Sequence, residues 1–83
     1  MSVEIYYIVT FSGTHQAMAS EEVLKKTIDC RLVPIPSELF AGCGMVLKVS
    51  DYKDVLESEV VFSKIYKVEK NGFSKEIEEI IIQ

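Results

Sequence analysis

Val3, Ile5, Tyr7, Val9 and Phe11 alternate with Glu4, Tyr6, Ile8 and Thr10 at a period of two. β-branched and aromatic residues on that spacing predict a strand, and a central one. Ser12-Gly13-Thr14 breaks the run, with Ser12 or Thr14 placed to cap a helix over residues 15–26. Its glutamates sit mid-helix and its lysines at the end, which suits the helix dipole. Ala17, Ser20, Leu24 and Ile28 form one narrow stripe of mostly small residues, so this helix approaches a sheet closely.

Cys30 to Pro36 is strand-like, but Pro34 and Pro36 cannot donate ladder hydrogen bonds and confine it to a sheet edge. Residues 37–44 are a connection with room for one helical turn. Met45 to Val49 is a short apolar strand suited to the sheet interior. Ser50 or Asp51 caps a second helix carrying Tyr52, Val55, Leu56, Glu59 and Val60 at helical spacing. Ser63 to Glu69 alternates again, with lysines suited to guarding an exposed edge. After the Asn71-Gly72 turn signal, Ile77, Ile80 and Ile81 fall at i, i+3 and i+4, which predicts a helix over residues 75–83, although β-branched runs also favour strands.

Strand, helix, strand, strand, helix, strand is the order of an α+β ferredoxin-like βαββαβ plait. The expected sheet is antiparallel in the order 4-1-3-2, with both helices on one face. Residues 1–70 make this domain and 71–83 a helical C-terminal extension that packs back or binds a neighbour. With 83 residues the chain builds one core. A net charge of -4 without a basic block argues against nucleic acid. The first apolar run carries Glu4, lacks a basic leader and is too short to span a bilayer, so neither membrane association nor export is expected, and the expected location is cytoplasmic.

In that setting Cys30 and Cys43 are free thiols, and the plait puts them at opposite ends of the sheet, too far apart for a disulfide. One histidine and no CxxC or HxxxH spacing leave no ligand set for a metal within one chain, and nothing calls for another cofactor. The candidate chemistry lies in Gly42-Cys43-Gly44, where no neighbouring side chain shields the sulfur. The plain alternative is a turn in which Cys43 is a small buried apolar group. In the plait the end of strand one, the start of helix one and the start of strand three share one end, so Thr14 and His15 face Gly42-Cys43-Gly44. The helix N-terminus favours thiolate there, and His15 is either a proton acceptor or a solvated loop side chain. No base completes a hydrolytic triad, so turnover of a bond is not indicated.

The runs Ile8 to Met18, Arg31 to Pro36 and Ala41 to Leu47, with Ile65 to Val68, resemble the selenium/sulfur carrier-like family over about residues 5 to 68. That resemblance implies a small domain carrying sulfur or selenium on a cysteine, with donor and acceptor proteins as partners. By position Cys43 is then the carrier thiol, with Ser12, Thr14 and His15 in the matching loop beside Gly42 and Gly44. The tail beyond Asn71 departs from the usual domain. Two other readings stand beside the carrier. One is a dimerising or ligand-binding regulatory module using a sheet face that carries Tyr6, Ile8 and Val46; the other is a structural subunit that docks through the isoleucine-rich tail.

Overall fold

The computed structural model describes residues 3–36, 39 and 44–81. Its elements are β1 (Val3–Thr10), α1 (Thr14–Leu24), β2 (Cys30–Pro34), β3 (Met45–Val49), α2 (Tyr52–Glu57), β4 (Lys64–Asn71) and β5 (Ser74–Ile80). All strands join one antiparallel sheet in the order β2-β3-β1-β4-β5. The α+β class is as expected, but the sheet is not the four-stranded 4-1-3-2 one. A fifth strand lies outside β4, and the neighbours β4, β1, β3 and β2 follow it inward.

That fifth strand replaces the helix expected over residues 75–83. Asn71 pairs with Ser74 across a two-residue loop, and Gly72, its first residue, has φ 63° while Phe73 stays out of the left-handed region. Glycine first and an ordinary second residue is the φ pattern of a type II′ turn, whose twist matches that of a hairpin. The β-branched isoleucines then pair as a strand, with Ile77 opposite Val68 and Ile80 opposite Ile65. Tertiary pairing has overridden the helical spacing. β4 is therefore interior, and its lysines guard no edge. The free edges fall on β5, studded with Lys75, Glu76, Glu78 and Glu79, and on β2, which carries Pro34. The Glu21 carboxylate accepts from the Leu32 amide of β2 at 3.1 Å, so α1 also covers part of that edge.

α1 buries Ala17, Ser20 and Leu24 of the stripe read from the sequence, while Ile28, beyond the helix end at Leu24, packs half-buried against the same cluster. Its cap differs. Gly13 occupies the N-cap without a side-chain hydrogen bond, because the Ser12 hydroxyl donates to the Gln16 side chain instead. Asp51 caps α2 by accepting from the Lys53 amide at 3.0 Å. α2 ends before Glu59 and Val60, contrary to the spacing, because the Ser58 hydroxyl and amide both donate to the Val55 carbonyl. A serine that satisfies the last turn from its own side chain ends the helix there.

Both faces of the sheet are covered. Against the helices lie Val9, Phe11, Leu47, Val49 and Ile65, packed with Ala17, Leu24 and Val55. Tyr52 of α2 rests on Tyr7 with ring centroids 4.9 Å apart. On the other face Ile8, Val46 and Val68 form a second cluster with Leu39, flanked by Val33, Ile35 and Ile77. The single core expected from chain length is thus two clusters sharing one sheet. Ile8 and Val46, expected to lie open to another subunit, are 1% and 0% exposed within one chain.

Burial on both faces predicts that Ile8→Ala and Leu47→Ala each lower stability by about 2–5 kcal/mol in urea unfolding. A change below about 0.5 kcal/mol for Ile8→Ala, the size usual at a surface position, would contradict the second cluster.

Candidate functional site

Antiparallel register decides which loops meet. Val9 is opposite Leu47, Thr10 opposite Lys64, and Pro34 opposite Met45. The C-terminal ends of β1 and β2 and the N-terminal ends of β3 and β4 therefore lie at one end of the sheet. The chain leaves β1 there through Ser12 and Gly13 into α1, and enters β3 there through Gly44.

Thr10 fixes the end of β1. It is fully buried, its hydroxyl accepts from the Lys64 amide at 3.1 Å and contacts the Lys64 carbonyl at 3.3 Å, and its own carbonyl accepts from the Ser63 amide at 2.8 Å. These bonds pin the point from which α1 departs. The first turn of α1 has no side-chain cap at Gly13 and no acid, so its positive dipole end has no counter-charge in that turn. Thr14 and His15 are exposed in that turn, and the His15 side chain has no hydrogen-bond or ion-pair partner among the described residues.

Gly44 is exposed, and its carbonyl accepts from the Ile35 amide at 3.1 Å. Among the described residues a methyl group there would meet nothing within 4 Å, and its φ is not positive. Neither turn geometry nor crowding demands glycine at this position. What Gly44 provides is an exposed position without a side chain at the entry to β3. The expected site residues thus divide: Ser12, Thr14, His15 and Gly44 are at the end the plait predicts, with the Ser12 hydroxyl engaged by Gln16, whereas Gly42 and Cys43 lie outside the described residues.

Cys30 is a free thiol at the opposite end of the sheet, where it pairs with Val49. Partial burial pushes its pKa up, and the nearby Glu21 and Asp29 carboxylates push the same way, with only Lys25 opposing them. Thiolate is the reactive form, so this cysteine is held in its unreactive state at neutral pH. A hollow of about 280 Å³ lies beside it, lined in part by Tyr6, Arg31 and Lys48. Two supports of the site were not read from the sequence: the Thr10 clasp, signalled only by a polar residue closing an apolar run, and the seating of Leu39 on the outer sheet face, signalled only by an isolated leucine in a connection.

A family model described as Putative Se/S carrier protein-like matches residues 6–70. The chain belongs to this family. In this carrier-like domain the match runs from β1 into β4 and takes in α1, β2, β3 and the segment with Cys43, while β5 falls outside it. The family's name gives a carrier role for selenium or sulfur. No curated protein and no solved structure matches the chain. Among the described residues, no helix is long and apolar enough to cross a membrane.

In a Cys43→Ser variant at pH 7, Cys30 is expected to react with iodoacetamide at no more than about one tenth of its rate in urea, followed by mass spectrometry. Equal rates in the two conditions would contradict its suppression. Gly44→Ala is expected to unfold within about 0.5 kcal/mol of the parent in urea, as substitutions into open space do. A loss above about 2 kcal/mol would mean that the backbone there needs glycine.

Proposed function

We propose that this protein carries sulfur or selenium on Cys43. The observation that supports this most directly is the register that brings Gly44, the residue bonded to Cys43, to the end of the sheet from which the uncapped α1 starts. A thiol among free amides at a helix N-terminus is stabilised as thiolate. The Cys43 thiolate attacks the terminal sulfur of a donor persulfide R–S–SH. The donor S–S bond breaks as the new one forms, giving Cys43–S–SH and the donor thiolate R–S⁻, with no net oxidation. An acceptor nucleophile then attacks the terminal chalcogen and regenerates the Cys43 thiolate. A selenium cargo follows the same displacement through R–S–SeH.

In this reading Gly42 and Gly44 keep the sulfur approachable, and Ser12 and Thr14 line the loop beside it. His15 accepts the thiol proton or donates a hydrogen bond to the persulfide anion. The protein is a carrier and not a turnover enzyme, and its partners are the donor and acceptor proteins. Cys30, with its thiol suppressed, does not compete for the cargo. The dimerising alternative draws less support, because the apolar centre of the outer sheet face is already covered within one chain.

Incubation with cysteine persulfide followed by intact mass measurement tests the reading. The parent chain and Cys30→Ser are expected to gain one sulfur atom that dithiothreitol removes, and Cys43→Ser to gain none. An unchanged mass in the parent, or an equal gain in Cys43→Ser, would overturn it.

A further inference from the structure

Strand alternation sorts charge as well as apolar surface. On the sheet face away from the helices, the side that holds Ile8, Val46 and Val68, the strands also carry Arg31, Lys48, Lys64, Lys70 and Lys75. Glu4 and Glu79 are the only carboxylates that the strands place there. Glu4 pairs with Lys48 and Glu79 with Lys64, each at 3.7 Å, which leaves Arg31 and Lys70 without an ion-pair partner among the described residues. The helix-side face of the same hairpin is the reverse, with Glu69, Glu76 and Glu78 around Lys67. Among the described strand residues, a chain of net charge -4 thus gathers its positive charge on one side.

Two like-charge pairs stand directly opposite on that side, Arg31 with Lys48 and Lys70 with Lys75, with Glu4 opposite Lys70 on its other flank. Such pairs are unfavourable in the isolated sheet. A carboxylate-bearing surface laid across this side relieves the repulsion and supplies partners for Arg31 and Lys70.

We propose that this cationic sheet face docks an acidic patch on a partner protein. Protein suits the face better than nucleic acid does. Tyr6 lies beneath the Lys48 ammonium, 4.4 Å from its ring centroid, and Tyr66 is half-buried, so neither ring is laid open for base stacking. Leu39 seats on the same face, so a docked partner lies on the side of the sheet that holds this part of the connection before Gly44. The inference uses no property of Cys43 and stands apart from the chalcogen chemistry.

The test is a titration of ¹⁵N-labelled full chain with a deca-glutamate peptide, and in parallel with an oligothymidylate of equal charge, at roughly 20 mM and 300 mM salt. The expected result is amide shifts confined to Arg31, Lys48, Lys70, Lys75 and their strand neighbours, stronger for the peptide than for the oligonucleotide. Affinity should fall about tenfold or more at the higher salt and in Arg31→Glu/Lys70→Glu, and stay unchanged in Lys25→Glu/Lys26→Glu on the helix side. Should the charge-reversed variant not fold, Arg31→Gln/Lys70→Gln is expected to weaken peptide binding about threefold. Absent or scattered shifts, equal losses in the two charge-reversed variants, or tighter binding of the oligonucleotide would overturn the proposal.

Discussion

Toward its C-terminal end strand β1 is hydrogen-bonded on both sides and buried on both faces, and this double constraint governs the molecule. A slip of one residue in its register would turn Val9 and Ile8 to the wrong clusters at once. The same pairing that protects the two clusters sets which loops gather at the end of the sheet. Thr10 terminates the strand with bonds to Ser63 and Lys64, so the point where α1 begins is fixed by the core and not by the loop.

From that constraint the functional geometry follows in short steps. Ser12 and Gly13 turn the chain into α1 without a side-chain cap, leaving a positive helix end without a local counter-charge. Gly44 reaches β3 at the same end, anchored by its bond from Ile35 and open on its free side. Cys30, by contrast, is in the sheet itself, at its other end, where burial and carboxylates hold it protonated.

The sequence made most of this legible where local pattern and tertiary context agree. The alternation of β1, the stripe Ala17, Ser20 and Leu24, the proline-marked edge and the Asp51 cap all carry their own physical cause. It misled where context overrode spacing. Ile77, Ile80 and Ile81 read as a helical face, yet the II′ geometry available to Gly72 folded them back as β5. Leu56, Glu59 and Val60 prolonged a helix on paper that Ser58 ends in fact. The second cluster was hidden because its cover, Leu39, belongs to no periodic run. The site was legible only as a motif and an end of a sheet; no spacing announces the charge segregation, which appears once each strand's facing is known.

The account rests on Cys43 being an activated thiol, and its acidity is the most direct measure. Thiolate absorbance followed against pH in a Cys30→Ser variant, less that of Cys30→Ser/Cys43→Ser so that the four tyrosines cancel, reports that one group. The account predicts ionisation well below that of an ordinary cysteine, which lies near about 8.5. Ionisation at or above that value, in protein shown to be folded, would contradict it.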